Sequence, residues 1–130
     1  MVVIDASVWI ALFQEHDKFN KRAEDIFRSI ALEHERICIP AIAFTEVAGV
    51  MKRVTKDRNT AIEAVFNMKE MGPEVIADFA ELEPHATELA IKHNTRGADA
   101  YYLAVAKLTK SKLYTFDKQQ EEAFEAIERT

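Results

Sequence analysis

Four acidic residues are spaced along the chain where an α/β protein would bring their carboxylates together: Asp5, Glu46, Asp99 and Asp117. Asp5 follows an apolar run at residues 2–4, and Asp117 follows the strand-like segment 112–116. Clustered carboxylates repel one another unless a cation joins them, and Mg²⁺ held by few protein oxygens keeps coordination positions for phosphate. The pattern therefore predicts a divalent-metal site.

Helix capping is the alternative explanation for three of these acids. Asp5 and Asp117 each end a predicted strand and precede a predicted helix, and Asp99 lies in the first turn after Gly97. A carboxylate at such a position accepts hydrogen bonds from the free N–H groups of the helix and favours its positive end. Taken one at a time, each of these three acids is better explained by capping than by catalysis.

Glu46 is not explained by capping. Ile42 lies four residues before it and Val50 four residues after it, so its side chain projects from the apolar stripe that should face the sheet. Asp99 lies on a similar stripe, with Leu103 four residues further on. A charge on such a face costs free energy unless it is paired, and a metal ion is the simplest partner.

Alternation of short apolar runs with helical patterns predicts the architecture. Strands are expected at residues 2–5, 37–39, 75–77 and 113–116, and helices at 8–12, 18–33, 41–55, 59–71, 84–93 (opened by Pro84) and 98–110 (after a break at Gly97). The tail is expected to begin as a helix and to add a short fifth strand at Ala126-Ile127. This order predicts a three-layer α/β/α fold with a mainly parallel, four- or five-stranded sheet of order 3-2-1-4-5, in which Asp5 and Asp117 face one crevice.

Length and charge narrow the class of protein. A chain of 130 residues predicts one domain over residues 1–130, and its single cysteine, Cys38, excludes an intramolecular disulfide. The net charge of −5 argues against a surface that binds nucleic acid throughout, so any such contact must be local or mediated by a metal. We find neither an apolar run of membrane-spanning length nor a basic leader, which predicts a cytoplasmic protein without a membrane partner.

Four segments, taken together in this order, resemble the PIN-domain nucleases, and most closely the VapC-type ribonuclease toxins of toxin–antitoxin pairs. The resemblance rests on Asp5-Ala6-Ser7, on Glu46 in the helix after a strand ending at Pro40, on Arg96-Gly97-Ala98-Asp99-Ala100, and on Thr115-Phe116-Asp117. The first and last segments are weak patterns alone, whereas the segment around Asp99 is fairly specific. The ordered set covers nearly the whole chain.

This resemblance implies a Mg²⁺- or Mn²⁺-dependent endoribonuclease whose acidic site is Asp5, Glu46, Asp99 and Asp117. It implies an RNA substrate and a cognate antitoxin as partners. Ser7 and Thr115 match supporting hydroxyl residues of the family, although a helix cap and an ordinary strand position explain them equally well.

Other features bear on RNA and on assembly. Arg96 could contact a substrate phosphate, or it could be a solvated side chain or the partner of a site acid. The densest group of basic residues is Lys52, Arg53, Lys56 and Arg58, which could steer RNA or simply be solvated at helix ends. The helix at 59–71 is apolar on nearly all sides, which predicts a homodimer interface or deep burial within the monomer.

Several alternatives stay open. A housekeeping PIN-domain ribonuclease would share every feature above. A catalytically silent PIN-like interaction module would not need all four acids, so their presence argues against it. A phospho-receiver module also has acids at the ends of parallel strands, but it requires adjacent acids after its first strand, where this chain has Asp5 alone. The number of metal ions, one or two, is not determined by the sequence.

Overall fold

Four short strands form one parallel sheet. In the computed structural model, which describes residues 1–129, they are β1 (Val2–Ile4), β2 (Ile37–Pro40), β3 (Glu74–Ile76) and β4 (Lys112–Tyr114). The strand order is β3-β2-β1-β4, and every neighbouring pair is parallel. All three residues of β1 are buried, as expected for a central strand covered on both faces. The predicted order of the first four strands is confirmed.

Seven helices flank this sheet within the described residues. They are α1 (Ala6–Phe13), α2 (Asn20–Leu32), α3 (Ile42–Thr55), α4 (Arg58–Glu70), α5 (Phe79–His93), α6 (Gly97–Thr109) and α7 (Lys118–Glu128). Helix α6 packs against β1, β2 and β4, while α1 packs against α2 and α3. The predicted α/β fold with helices around a parallel sheet is confirmed. No helix among residues 1–129 has the length and apolar character needed to span a membrane.

The predicted fifth strand is wrong. Residues Ala126 and Ile127 lie inside α7, which packs on β4 and α6. Ala123, Phe124 and Ile127 recur at helical spacing and pack against the core, so a helix buries more of this apolar surface than a two-residue strand would. Strand β4 is consequently at the edge of the sheet in the described chain.

Most element boundaries differ from the predictions by one or two residues, and those of α5, α6 and β4 have a local explanation. Helix α5 begins at Phe79, five residues before Pro84, because the Asp78 carboxylate caps it by accepting a hydrogen bond from the Glu81 N–H at 3.1 Å. Gly97 is the first residue of α6 and not a break before it. Strand β4 ends at Tyr114, so residues 115–116 form the connection to α7.

Candidate active site

Asp5 lies at the junction of β1 and α1 and is almost completely buried. Its Oδ1 accepts hydrogen bonds from the Ser7 N–H at 3.0 Å and the Ser7 hydroxyl at 2.5 Å, which caps α1. Only 3% of the residue is exposed. Burial raises the pKa of Asp5 to about 6, although the hydroxyls of Ser7 and Thr115 act in the opposite direction. Asp5 therefore does cap α1, but the hydrogen bonds of the cap do not offset the free-energy cost of burying its charge.

Asp117 occupies the equivalent junction after β4. Its carboxylate caps α7 by accepting from the Gln120 N–H at 3.0 Å, and unlike Asp5 it is exposed. The β1–β4 pairing continues into this corner, because the Asp5 N–H donates to the Tyr114 carbonyl at 3.1 Å. The carboxyl ends of both strands therefore open at one edge of the sheet.

Asp99 is the common neighbour of the other three acids. It lies half-buried in the first turn of α6, and burial followed by the negative charge of Asp117 raises its pKa. Its own charge contributes to the raised pKa values of Asp5 and Glu46, after the larger contribution of burial at each. The structure thus brings all four predicted acids into one electrostatic neighbourhood centred on Asp99.

Little positive charge offsets this cluster. Arg96, at the N-cap position of α6, is exposed and lowers the pKa of Asp99, but forms no ion pair within residues 1–129. The Glu46 Oε1 atom and the Tyr102 hydroxyl are both buried and form no hydrogen bond of ordinary geometry. Burial raises the pKa of Glu46, and a long contact with the Tyr102 hydroxyl lowers it in part. An orphaned carboxylate oxygen beside other carboxylates is a position that a cation would satisfy.

The donor set fits a hard divalent cation bound by few protein ligands. Among residues 1–129, no three acidic, histidine or cysteine side chains lie close enough together to hold one ion as they stand. Mg²⁺ commonly binds one or two carboxylates and keeps several waters, so it does not need a closed cage. Asp5 and Asp99, whose charges interact, would be its main ligands, and Glu46 and Asp117 each interact electrostatically with Asp99.

The two predicted supporting hydroxyls connect the strand ends. The Ser7 hydroxyl donates to Asp5 and accepts from the Phe116 N–H at 2.9 Å. The Thr115 Oγ1 lies 3.5 Å from the Ser7 Oγ and accepts from the Asp117 N–H at 3.0 Å. The placement of Thr115 on a strand was wrong, yet its side chain is in the site because the turn after β4 points it toward Ser7.

Sequence reasoning missed Gln120 as a residue of the site. It is 1% exposed, its backbone N–H binds the Asp117 carboxylate, and its side-chain amide donates to the Asp99 carbonyl at 2.9 Å. One residue thus ties the start of α7 to the start of α6, where two of the acids lie. The sequence signal for Gln120 was its position three residues after the capping Asp117. A side chain at that position of the first turn faces the neighbouring helix and not solvent.

Sequence reasoning also did not identify Tyr102 as a neighbour of the site. It is fully buried, and burial, followed by the charge of Glu46, raises its pKa well above the ordinary value. Its spacing of three residues from Asp99 on α6 could have identified it as a neighbour of the site.

Comparison with known proteins identifies the family of the chain. The PIN domain family model matches residues 2–125. The chain is 28% identical over 130 residues to Ribonuclease VapC3 of Pyrobaculum aerophilum, covering 97% of this chain and 96% of that relative. The crystal structure of Mycobacterium tuberculosis VapC20, described as a sarcin-ricin loop cleaving toxin, matches with a TM-score of 0.81 and 22% identity over 95% of each chain. The resemblance found in the sequence motifs is confirmed: the chain belongs to the PIN-domain family.

Proposed function

We propose that this protein is a divalent-metal-dependent endoribonuclease, acting in the cytoplasm as a single nuclease domain and as the toxin of a toxin–antitoxin pair. One observation carries the proposal: the charge of Asp99 interacts with those of Asp5, Glu46 and Asp117, and no basic side chain among residues 1–129 forms an ion pair with any of the four. Ribonuclease VapC3 and the VapC20 toxin support both the reaction and the biological role. A housekeeping ribonuclease of the same family is the second candidate, favoured by the same site.

The residues of the site have separable tasks. A bound Mg²⁺ or Mn²⁺ ion supplies Lewis acidity toward a phosphoryl oxygen and lowers the pKa of a coordinated water. Ser7 holds the Asp5 carboxylate in one orientation, and Gln120 fixes the relative position of the helix ends that carry Asp99 and Asp117. Arg96 is exposed at the N-cap of α6 and lowers the pKa of Asp99, and we assign its charge to contact with a substrate phosphate. Such preorganisation lets the protein bind and orient a phosphodiester without rearranging during the reaction.

RNA must reach this site against a net charge of −5. The basic group Lys52, Arg53, Lys56 and Arg58 lies at the junction of α3 and α4, and all four side chains are exposed. None forms an ion pair among the described residues. We assign this group to local steering of RNA, an effect that weakens as salt concentration rises.

Cleavage in the presence and absence of metal tests the reaction. The purified protein should cleave RNA with Mg²⁺ or Mn²⁺, and EDTA should stop it. Asp99→Asn should lower the rate by about 100-fold or more, because Asp99 is central to the cluster. Asp78→Asn is the matched control, since Asp78 is an exposed helix cap outside the site, and it should cleave normally. Normal cleavage by Asp99→Asn would show that the site is wrongly assigned.

Thermal melting tests metal binding without any substrate. A ligand that binds only the folded state stabilises it by about 2.7 kcal/mol at 100 times its dissociation constant. Mn²⁺ should therefore raise the melting temperature of the unmodified protein and of Asp78→Asn, but not that of Asp99→Asn. Titrating Mg²⁺ and Mn²⁺ separately gives the preferred metal, and the stoichiometry distinguishes one ion from two.

We further propose that α4 forms a homodimer interface. Its exposed side carries Ile62, which is 51% exposed, and Phe66, which is 59% exposed, and Val54 on α3 is also exposed. The predicted deep burial of this helix holds only for its other side, which carries Ala61, Ala64 and Met68. Sedimentation should show a dimer for the unmodified protein and a monomer for Phe66→Glu, which would bury an unpaired charge. A monomeric unmodified protein well above micromolar concentration would exclude this interface.

A further inference from the structure

A stack of aromatic and basic side chains adjoins the acidic site. The rings of Phe19 and Phe116 are stacked with centroids 4.8 Å apart and an interplanar angle of 22°. The guanidinium carbon of Arg22, on α2, lies over both rings, at 5.1 Å from the Phe116 centroid and 5.6 Å from the Phe19 centroid. Lys18 lies over the Phe19 ring, with its Nζ 5.0 Å from the centroid.

This stack is joined to the acids by the backbone. Phe116 is the residue before Asp117, and its N–H donates to the Ser7 hydroxyl, which in turn donates to Asp5. The position of the Phe116 ring is therefore coupled to two of the four acids. The ring is therefore attached to the segment that connects β4 to the acidic site.

The basic residues of the stack are not used for ion pairs. On the same helix, Lys21 and Arg28 both pair with Asp25, at 3.8 Å and 2.9 Å. Within residues 1–129, Arg22 has no carboxylate within ion-pair distance. Its N–H groups are free to meet a ligand, while the rings restrict the guanidinium to one region.

An open cleft adjoins Arg22. It has a volume of about 460 Å³, within the range of small-molecule sites, and runs along the free edge of β4 up to the turn that leads to the acids. Its walls combine aromatic rings with polar groups of both signs, contributed by Arg22, Lys112, Tyr114, Thr115, Phe116 and Glu121. Mixed charge suits the polar edge of a nucleobase better than a phosphate alone.

We propose that Arg22 and Phe116 form a nucleotide subsite that binds an unpaired RNA base next to the scissile phosphodiester. The base stacks on the Arg22 guanidinium, which Phe116 supports from below, as proteins commonly do with single-stranded RNA. The subsite rests on the proposed ribonuclease function and deepens it, because it places part of the substrate. It also explains how an acidic protein holds RNA with few basic residues.

Binding of a labelled single-stranded oligoribonucleotide, followed by fluorescence anisotropy, tests the subsite. All proteins carry Asp99→Asn, so that the RNA is not cleaved. Adding Arg22→Ala should weaken binding by about tenfold, the size expected for loss of one stacked base. Arg22→Lys should weaken it nearly as much, because an ammonium group carries the charge but offers no planar surface. Arg28→Ala is the matched control on the same helix and should change the affinity by less than about twofold.

Each remaining outcome has a definite meaning. Unchanged RNA affinity in Arg22→Ala would overturn the subsite and leave Arg22 as a docking group for an acidic segment of a partner protein. Full affinity in Arg22→Lys would overturn the stacking assignment. Melting temperatures should match across the set, since Arg22 and Arg28 are exposed. Failure of the unmodified protein to cleave any RNA would instead refute the proposed function itself, whereas cleavage with an unchanged KM in Arg22→Ala refutes the subsite alone.

Discussion

Asp5 and Asp57 have the same local structure in two different regions of the molecule. Each residue is the N-cap of a helix, and its carboxylate accepts a hydrogen bond from the backbone N–H two residues further along the chain. The donor is Ser7 for Asp5, at 3.0 Å, and Asn59 for Asp57, at 3.1 Å. Each also accepts a hydroxyl, from Ser7 at 2.5 Å and from Thr60 at 2.7 Å. Hydrogen bonding alone would give these two carboxylates the same chemistry.

Their pKa values nevertheless move in opposite directions. Asp57 is exposed, and the Thr60 hydroxyl lowers its pKa below the ordinary value. Asp5 is buried beside Asp99, and desolvation raises its pKa to about 6 in spite of equivalent hydrogen bonds. The comparison teaches that the capping motif supplies orientation, whereas burial and neighbouring charge decide whether a carboxylate needs a cation.

Replacing each Asp by Asn should give the largest contrast between the two regions. Asn caps a helix nearly as well as Asp, so both variants should fold. Asp5→Asn should lower the RNA cleavage rate by about 100-fold or more, because it removes a proposed metal ligand. Asp57→Asn should cleave within about twofold of the unmodified protein. Equal rates in the two variants would mean that Asp5 is only a cap.

The sequence could not distinguish these two caps by themselves. Both have an Asp followed within three residues by a hydroxyl residue, and only the buried run at residues 2–4 marks Asp5 as the end of a central strand. Glu46 and Asp99 were found because a carboxylate on an apolar helix stripe conflicts with the periodicity around it. Such conflicts are visible in a sequence, and here they selected two acids whose charges interact in the structure.

Features that depend on contacts between distant elements were harder to predict. Gln120 became a site residue only because α7 packs on α6, a contact that no local pattern encodes. The C-terminal helix replaced a predicted strand for the same reason, since Phe124 is buried against the core. The start of α5 was predicted too late, at Pro84. The cap supplied by Asp78 begins the helix at Phe79, so that Pro84 lies inside it.

The pH dependence of stability in EDTA should also separate the two regions. Between the unfolded pKa of 3.8 and the folded pKa of about 6, Asp5 binds a proton in the folded state and releases it on unfolding. Its contribution to stability is therefore present at low pH and is lost as pH rises through about 6. Over this interval the loss is about 3 kcal/mol, at 1.36 kcal/mol for each pKa unit. Metal-free Asp5→Asn should accordingly match the unmodified protein near pH 4 and exceed its stability at pH 7.

Asp57→Asn should show the opposite sign. The folded pKa of Asp57 is lowered, so its stabilisation is present above the unfolded value of 3.8 and is lost as pH falls. Removing it should destabilise the protein at neutral pH and have no effect at the acid end. Urea denaturation of all three proteins from about pH 2 to 7 measures both differences, because the loss for Asp57 occurs below its unfolded pKa of 3.8. Titrations that the variants share with the unmodified protein cancel in the comparison. A stability gap for Asp5→Asn that does not change with pH would contradict the assigned burial of this charge.

The smallest expected difference concerns the two hydroxyls. Ser7→Ala removes the donor to a buried carboxylate and also leaves the Phe116 N–H without its acceptor, which should cost about 2 kcal/mol. Thr60→Ala removes a donor to an exposed carboxylate that water can replace, so its cost should be less than about 1 kcal/mol. The midpoints of urea unfolding at pH 7 in EDTA measure both costs when the slope of the unfolding free energy against urea concentration is the same in each variant. Repeating Ser7→Ala in the Asp5→Asn background isolates the contribution of the carboxylate. The cost of losing the hydrogen bond to the charged Asp5 should disappear in this background. The cost of leaving the Phe116 N–H without an acceptor should remain. An equal cost in both backgrounds would mean that Ser7 acts only through Phe116, and that the orientation of Asp5 is fixed by burial and the backbone cap alone.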